Sequence, residues 1–431
     1  MEINRRDALK GIGGIAASAA LTTLGAQTPS SSVPRAGGSQ GLTTRLPRKQ
    51  DFEIAEGYTY INAAFTHPMP RVSMDAMRRY AEGRNRLGTP PAGGGSGGAQ
   101  RPDAKTLFAE LINAKPSEVA YVPNTSTGEN LVVNALGLDR KFDGNVVTDW
   151  LHYDGALVHL LELKKQGLDV RIVRPTKEFR IDIKDLEKVV DRNTRLIEVS
   201  SIAMYNGFQH DLKAVCDLAH SVGAYVYADI IHSAGAVPFD VRATGVDFAA
   251  CSSFKWLMGD FGLGFIYAKE ELLPRLLRSQ IGYQQLSRMA GHFPPFDPEA
   301  EKAPVSWEHR PDAKGHFEIG TIGGGIAAGL ATSLEYIKNL GVANIEAHRV
   351  PLLKKLHDEV PKLKHGFVPV TPPESTGGVI TFAKQDVGRG DLPRKLQAAR
   401  VNVRFSVHWM RLSPSVYNDV KDVDRFLEAL A

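Results

Sequence analysis

Short β-branched or apolar segments alternate with longer amphipathic ones in the middle of the chain. The apolar segments are EVAYVP at 118, NVVTD at 145, VRIV at 170, RLIEVS at 195, AYVYAD at 224, VDFAACS at 246 and GLGFIYA at 262. Between most of them lie helical patterns such as TGENLVVNALGL and DLKAVCDLAHSVG. Strands that alternate with helices predict an α/β fold with a mostly parallel sheet and crossover helices.

The pattern changes after about Gly324. Longer helical patterns, IAAGLATSLEYIKNLG and ANIEAHRVPLLKKLHDEV, now alternate with the short segments VITFAK and VNVRFS. A chain of 431 residues also exceeds what one hydrophobic core usually supports. We therefore predict an N-terminal arm over residues 46–70, a large domain over 71–320 and a smaller C-terminal α/β domain over 321–431.

The first 45 residues do not continue this pattern. Arg5 and Arg6 precede a weakly apolar, Gly- and Ala-rich run from Gly11 to Ala26, which looks like a twin-arginine export signal. The run is shorter and less apolar than the roughly 20 residues that a membrane span needs. We predict a signal peptide over residues 1–26, cleaved near Ala26, and a linker over 27–45. The twin-arginine machinery would export the protein to a periplasmic or extracytoplasmic location, without stable membrane insertion.

Composition excludes several classes of function. The 52 basic and 48 acidic residues are spread along the chain and give a net charge of +4, so no basic patch predicts nucleic-acid binding. Cys216 and Cys251 are the only cysteines, which rules out a disulfide framework. The 13 histidines form no HExxH pair or comparable ligand cluster, so we predict no metal.

Polar side chains follow the predicted strands where the strands end. In α/β sheets, ligands gather beyond the carboxyl ends of the strands. The candidate residues at these ends are Thr125, Ser126, Thr127, Asp149, His152, Tyr153, Asp229, His232, Ser252 and Lys255. The segment NTSTGEN also opens a helix, and a helix N-terminus favours a phosphate group.

Lys255 lies between Phe254 and Trp256 in a segment otherwise suited to a protein interior. A lysine is almost never fully buried unless something compensates it. Burial lowers the pKa of a lysine, and a neutral amine can form a Schiff base with an aldehyde. A phosphate cradle, a buried acid, a stacking ring and an apolar lysine together predict a site for pyridoxal 5'-phosphate (PLP).

At these residues the sequence resembles a known family. ADIIHSAGAVPFDV, followed by SSFKWLMGDFGLGFIY, is similar to the signature of class V aminotransferases, the fold type I PLP-dependent enzymes that include cysteine desulfurases, kynureninase and isopenicillin N epimerase. The resemblance runs from YINAAFTHPMP through EIGTIGGGIAAGLATSLEYI to RLSPSVYNDVKDVDRFLEAL. It implies a large domain with a mostly parallel seven-stranded sheet and a smaller C-terminal α/β domain.

The resemblance implies roles for individual residues. Lys255 would be the Schiff-base lysine, Asp229 the partner of the pyridinium nitrogen and His232 a contact of the ring hydroxyl. Ser126, Thr127 and Ser252 would bind the phosphate, and Thr321 would bind the phosphate in a neighbouring subunit. His152 or Tyr153 would stack on the cofactor ring. Arg411 would bind the substrate carboxylate, with Arg404 as a second candidate for that role. Thr321 implies a homodimer with shared active sites. For the stacking position we favour His152, which with Lys255 and Asp229 forms the expected catalytic set.

The sequence also departs from the family pattern. Phe254 stands where the family often has His, and Met204 where it often has Asn, although Asn206 could compensate. The desulfurases carry a nucleophilic Cys shortly before the carboxylate-binding arginine, whereas VNVRFSVHWM before Arg411 contains none. We therefore expect that the protein is not a persulfide-forming desulfurase.

The expected function is that of a PLP-dependent enzyme acting on an amino-acid-like substrate. Transamination or epimerisation through Lys255 is the first expectation, which makes the protein an aminotransferase-type transferase or an epimerase. Cleavage of a C–S or similar β-bond by a lyase is the alternative, and a non-catalytic PLP carrier or sensor is a further one. The Gly-rich segment 89–100 is either a plain surface loop or a lid over the site.

Overall fold

A computed structural model describes residues 45–88, 103–363 and 365–431. Three predicted segments lie outside these residues: the signal peptide, all but the last residue of the linker, and the Gly-rich segment 89–100. The structure does not test them, so they stay predictions. Within the described residues, no helix is both long enough and apolar enough to cross a bilayer.

The strands, numbered in chain order, are mostly short. They are β1 Thr59–Tyr60, β2 Val119–Val122, β3 Asn145–Asp149, β4 Asp169–Val173, β5 Thr194–Ser200, β6 Tyr225–Asp229, β7 Phe248–Ser252, β8 Gly264–Ala268, β9 Leu286–Gly291, β10 Val305–His309, β11 Val368–Pro369, β12 Ile380–Ala383, β13 Val401–Asn402, β14 Arg404–Phe405 and β15 Trp409–Leu412.

The α-helices of the described residues range from 4 to 18 residues in length. They are α1 Arg71–Leu87, α2 Ala104–Leu111, α3 Thr125–Ala135, α4 Asp154–Gln166, α5 Ile183–Glu187, α6 Leu212–Ser221, α7 Val241–Thr244, α8 Ala313–Phe317, α9 Gly324–Leu340, α10 Val342–Glu359, α11 Leu392–Ala398 and α12 Val420–Leu430.

A seven-stranded sheet in the order β2-β8-β7-β6-β5-β3-β4 forms the centre of the fold. All its strands are parallel except β8, which pairs antiparallel with both β7 and β2. Strands such as β3 and β7 are buried along their whole length, as expected for a sheet covered by helices on both faces. The seven apolar segments of the sequence supply these seven strands, so the predicted sheet is confirmed.

A second, antiparallel sheet in the order β11-β12-β15-β14 lies in the C-terminal part of the chain. A parallel pair between β1 and β13 joins the N-terminal arm to this part. The segment VNVRFS, predicted as one strand, is divided between two sheets, because Val401–Asn402 pairs with β1 and Arg404–Phe405 pairs with β15. The domain boundary at residues 320 and 321 stays a prediction, and α9 just after it packs against α1 and α2.

The antiparallel hairpin of β9 and β10 has no counterpart among the predicted elements. Its strands LSRMAG and VSWEH lack a buried face, and Met289 and Trp307 are both more than half exposed. Without alternating burial, a strand has no periodic signal in the sequence.

Candidate active site

The carboxyl ends of β5, β6 and β7 and the N-terminus of α3 surround a pocket with a volume of about 180 Å3. The residues that line it are Asn124, Thr125, Ser126, Tyr153, Ser200, Met204, Asp229, Ile231, His232, Ser252, Phe254 and Lys255. Most of the predicted strand-end residues therefore meet in one place. Among the described residues, no group of His, Cys, Asp or Glu side chains could hold a metal ion.

Lys255 follows β7 and is only 8% exposed. Its Nζ lies 3.2 Å from Nε2 of His232, and the Phe254 ring forms an aromatic wall 5.9 Å away. Burial, with help from the nearby Arg411 guanidinium, lowers the pKa of Lys255 to about 8. The lysine is therefore neutral for part of the time near physiological pH, as a nucleophilic amine must be.

Asp229 ends β6 and is 4% exposed. Its Oδ1 accepts a hydrogen bond of 2.9 Å from the backbone N–H of Ile231, which fixes the carboxyl group at the pocket wall. Burial raises the pKa of Asp229, while that N–H, His152 and Lys255 all act in the opposite direction. A buried acid held in this way can pair with a protonated pyridine nitrogen.

The N-terminus of α3 is fixed against the end of β7. The backbone N–H of Thr125 donates to Oγ of Ser252 at 2.8 Å, and the N–H of Ser252 donates to Oγ1 of Thr125 at 2.9 Å. Close packing here requires Gly128, because a Cβ at that position would lie 2.7 Å from Cβ of Ala250. The positive end of an 11-residue helix thus faces the pocket beside two hydroxyl-bearing residues, Ser126 and Ser252.

His152 and Tyr153, the two candidates for ring stacking, lie in different environments. Tyr153 lines the pocket and is 37% exposed, whereas His152 is fully buried behind the pocket wall. Nδ1 of His152 lies 2.9 Å from Oγ of Ser200, and its Nε2 has no hydrogen-bond partner. The choice between the two rings stays a prediction.

Arg411 on β15 approaches the pocket from the C-terminal sheet. It is 2% exposed, and its Nη1 donates to the backbone carbonyl of Met204, a pocket residue, at 2.9 Å. None of the ion pairs among the described residues includes Arg411, and its Nε has no partner. Burial and Arg404, which is paired with it in register on β14, lower the pKa of Arg411 to about 10. A buried guanidinium without a carboxylate is suited to a substrate carboxylate.

Arg404, Thr127 and Thr321 do not line this pocket. Arg404 is exposed and lies over the ring of Phe65, 4.8 Å from its centroid. The Thr127 hydroxyl donates to the Asn124 side chain, which caps α3, and Thr321 is exposed and hydrogen-bonded to Tyr283. Their proposed roles stay predictions, and for Thr321 the predicted role belongs to a neighbouring subunit.

Two polar residues near the pocket, Asn206 and Asp149, have their hydrogen-bond partners elsewhere. The Asn206 amide donates to the backbone carbonyls of Phe179 and Val370, so it does not compensate for Met204 at the pocket. Asp149 accepts from the N–H of Leu151 at 2.7 Å and lies 3.1 Å from Nε2 of His210. The Asn206 amide is therefore used outside the pocket, and neither residue lines the pocket.

Neither cysteine reaches the pocket. Cys216 lies on α6 and is 1% exposed, and Cys251 lies on β7 and is fully buried. Burial raises the pKa of both thiols, so neither forms the thiolate that sulfur transfer needs.

The residues present fit PLP. Asp229 would hold the pyridine nitrogen, the α3 N-terminus with Ser126 and Ser252 would hold the phosphate, and Lys255 would hold the aldehyde carbon. The buried Nε2 of His152 has no hydrogen-bond partner, and His152 lies close enough to Asp229 to act on the pKa of its carboxyl group. A buried nitrogen without a partner indicates that a bound group completes the site. Fold and site together define a PLP-dependent enzyme of fold type I.

Comparison with known proteins agrees with this class. Residues 59–426 match the family Aminotransferase class-V, and the chain belongs to this family. A probable cysteine desulfurase of Methanothermobacter thermautotrophicus is 28% identical over 369 residues, which cover 84% of this chain and 86% of that protein. Membership of the family confirms the predicted cofactor, PLP.

Solved structures match the fold. The apo structure of a cysteine desulfurase from Thermococcus onnurineus NA1 has a TM-score of 0.75 at 22% identity and covers 90% of this chain and 97% of that one. The cystine C-S lyase C-DES, in complex with its reaction product cysteine persulfide, has a TM-score of 0.73 at 18% identity and covers 87% of this chain and 97% of that one. The predicted fold class is confirmed.

Sequence reasoning missed several residues of the site. Ser200 ends the segment RLIEVS and could have been found as another strand-end hydroxyl. Thr125 is named among the strand-end candidates, but the sequence did not indicate its bond to Ser252. Trp256, whose N–H contacts His232, gave no signal because a Trp in an apolar run is usually part of the core.

Proposed function

We propose that the protein cleaves the Cβ–S bond of a sulfur-containing amino acid by β-elimination, without an enzyme thiol as sulfur carrier. The relatives named cysteine desulfurases support carbon–sulfur chemistry. The cystine C-S lyase among the structural neighbours supports it further. Transamination and epimerisation, the first expectations from the sequence, receive less support from these names than the lyase alternative does.

The observation that carries the proposal is the burial of both cysteines away from the pocket. Cys216 and Cys251 are the only cysteines of the chain, and they are 1% and 0% exposed. A desulfurase that forms a persulfide on the enzyme needs a thiol that reaches the substrate sulfur. Sulfur released in this pocket would therefore leave as a free product, hydrosulfide or a persulfide, and not as a persulfide bound to the enzyme.

PLP and two residues of the chain supply the three functions that such a reaction needs. PLP, when bound, withdraws electrons from the α-carbon of an amino acid joined to it. Arg411 binds the substrate carboxylate through charge-assisted hydrogen bonds, which orients the α-carbon. Lys255 Nζ accepts the α-proton, because its pKa of about 8 lets a neutral amine be present near pH 7.

The bonds and electrons balance without a further reactant except water. For L-cysteine, the Cα–H bond breaks with its proton going to Lys255, and the Cβ–S bond breaks with its electron pair leaving on sulfur as hydrosulfide. The freed enamine takes up water and gives pyruvate and ammonia. L-cystine would give pyruvate, ammonia and cysteine persulfide in the same way.

The test is a product analysis of the purified enzyme with L-cysteine and L-cystine. The proposal predicts equal amounts of pyruvate and ammonia, with one sulfide or persulfide for each. Alanine as the carbon product would indicate a desulfurase, and mercaptopyruvate with an added keto acid would indicate transamination. Exchange of the α-proton with D-isomer formation alone would indicate epimerisation, and no exchange with any amino acid would indicate a PLP carrier or sensor.

A further inference from the structure

His232 lies between Lys255 and Trp256, and each of its ring nitrogens has one partner. Nε1 of Trp256 lies 3.2 Å from Nδ1 of His232, and Nζ of Lys255 lies 3.2 Å from Nε2. All three side chains are at least nine-tenths buried, so water does not compete for these bonds.

Donor chemistry decides where the imidazole proton lies. An indole N–H can only donate, so Nδ1 of His232 must accept from Trp256. Burial, Lys255 and Arg411 all lower the pKa of His232 well below its ordinary value, so the ring is neutral. A neutral imidazole whose Nδ1 accepts carries its proton on Nε2, the nitrogen that faces Lys255.

We propose that Trp256 is a positioning residue that fixes His232 as the Nε2–H tautomer, so that His232 donates a hydrogen bond toward Lys255. A donor at this place stabilises the neutral amine, which has a lone pair to accept it. It disfavours the ammonium form, which has only protons to offer. The same Nε2–H would be a donor toward a ring hydroxyl of the cofactor.

Other charged groups face Lys255 and act on the same equilibrium. Arg411 on β15 disfavours the ammonium form, whereas Asp229 on β6 and Cys251 on β7 favour it. Burial and Arg411 lower the pKa of Lys255, and a hydrogen bond donated by His232 would lower it further. Loss of the Trp256 donor would let the ring turn Nε2 into an acceptor for an ammonium proton.

The indole ring itself is held in place by Arg349. The guanidinium carbon of Arg349 lies 5.0 Å from the centroid of the Trp256 ring, and its Nη2 donates to the carbonyls of Ala236 and Thr376. Gly378 has φ +81°, and a Cβ there would come within 2.8 Å of the indole. Two residues of the C-terminal part of the chain therefore pack against the indole ring and restrict its position.

The test compares Trp256→Phe with Tyr336→Phe in the full-length protein freed of PLP, because only then is the Lys255 amine available to react. Tyr336 belongs to the same hydrophobic cluster and donates to Oδ2 of Asp51 at 2.8 Å, so its replacement also removes one buried aromatic donor, but one that does not touch His232. The first readout is 15N NMR of ring-labelled histidine, with His232→Gln to identify the signal. The second is the pH dependence of Lys255 acylation by acetic anhydride, followed by mass spectrometry.

In the wild type and in Tyr336→Phe we expect the Nε2–H tautomer and a Lys255 midpoint near its pKa of about 8. In Trp256→Phe we expect the other tautomer or a mixture, and a midpoint higher by about one unit, which leaves about tenfold less neutral lysine at pH 7. An unchanged tautomer and midpoint in a folded Trp256→Phe would overturn the proposal. If that variant does not fold, an Nδ1–H tautomer in the wild type would overturn it alone. Both readouts are independent of which reaction the enzyme catalyses, since every reaction considered above uses Lys255.

Discussion

Lys255 combines deep burial with the absence of an ion pair among the described residues, a combination that is costly for a charged lysine. Burial and the proximity of Arg411 lower the pKa of Lys255 to about 8, so the neutral amine is reached much more easily than in an exposed lysine. What looks unusual in the sequence, a lysine between Phe254 and Trp256, is therefore what a nucleophilic amine requires.

A pH dependence follows from the pKa of Lys255. Below pH 8 the folded protein holds the ammonium form, which cannot attack an aldehyde, so the rate of PLP uptake by cofactor-free protein should rise about tenfold per pH unit and level off above about pH 8. Stopped-flow absorbance would measure this. In Arg411→Ala the midpoint should move upward, because Arg411 helps to lower that pKa. A wild-type midpoint near the ordinary lysine value of 10.5 would contradict the prediction.

Arg411 gives a second prediction at the same scale. Replacement of Arg411 by Ala should raise KM for carboxylate-bearing substrates about 30- to 1000-fold, since a buried charge-assisted contact is lost, while bound PLP remains. Arg404→Ala is the matched control, because Arg404 faces Arg411 in register but is exposed, and its effect should be much smaller. Equal effects of the two variants on KM, or no effect of Arg411→Ala, would assign Arg411 a structural role.

The helix that we expect to bind the cofactor phosphate is α3, whose first turn is in close contact with β7. Ala is a better helix former than Gly, yet Gly128→Ala should destabilise the protein by about 1–3 kcal/mol, because the new Cβ would lie 2.7 Å from Cβ of Ala250. It should also weaken PLP binding by displacing the N-terminus of α3. Urea unfolding and PLP titration would measure both effects.

Gly325→Ala serves as the control for that prediction. Gly325 is also in the first turn of a helix, α9, but a Cβ there would meet Tyr80 at an ordinary 3.4 Å. Replacement of Gly325 by Ala should leave the free energy of unfolding unchanged or raise it slightly. Equal changes in the free energy of unfolding and in PLP affinity for the two variants would show that the contact between α3 and β7 determines neither quantity.

The elements differ in how well the sequence predicts them. Fully buried strands such as β3 and β7 are visible as apolar runs, and the row of strand ends then places Asp229 and Ser252 together without any knowledge of side-chain packing. The β9–β10 hairpin could not be predicted because its strands bury no face. The approach of Arg411 to the pocket depends on a second sheet, and only the resemblance to a family indicated it.

Contacts between distant side chains were the least predictable part of the site. Whether Asn206 or Asp149 faces the pocket is decided by backbone carbonyls and by His210, none of which a strand-end pattern can place. The bond from Trp256 to His232 is of the same kind, because an apolar run does not indicate where an indole N–H points.

At the scale of the whole molecule, residues from three parts of the chain lie in or next to the pocket. The central sheet supplies Lys255 and Asp229, the C-terminal sheet supplies Arg411, and the N-terminal arm is joined to the C-terminal part through β1 and β13. The backbone N–H of His67 in the arm donates to the carbonyl of Phe254 at 2.9 Å, directly beside the lysine. Truncations within residues 46–70 would therefore disturb the site as well as the fold.

The N-terminal segment gives a separate prediction about location. Residues 1–44 lie outside the described residues, so export rests on the sequence alone. Replacement of both Arg5 and Arg6 by Lys should keep the protein in the cytoplasm, because a twin-arginine signal is read through that pair. Cell fractionation with PLP absorbance would measure the distribution of the protein between cytoplasm and periplasm. Lys10→Arg is the control, because it leaves the arginine pair intact. Unchanged distribution of the double variant would contradict the predicted route.

We propose above that sulfur leaves this active site without passing through an enzyme thiol. The most direct measurement is the product balance of a cysteine-free variant, Cys216→Ala with Cys251→Ala, given L-cysteine after circular dichroism and PLP absorbance have verified its fold. We predict pyruvate, ammonia and sulfide in equal amounts, at a rate close to that of the wild type. Alanine as the carbon product of the wild type, or loss of sulfide release in a folded variant that still binds PLP, would contradict the account.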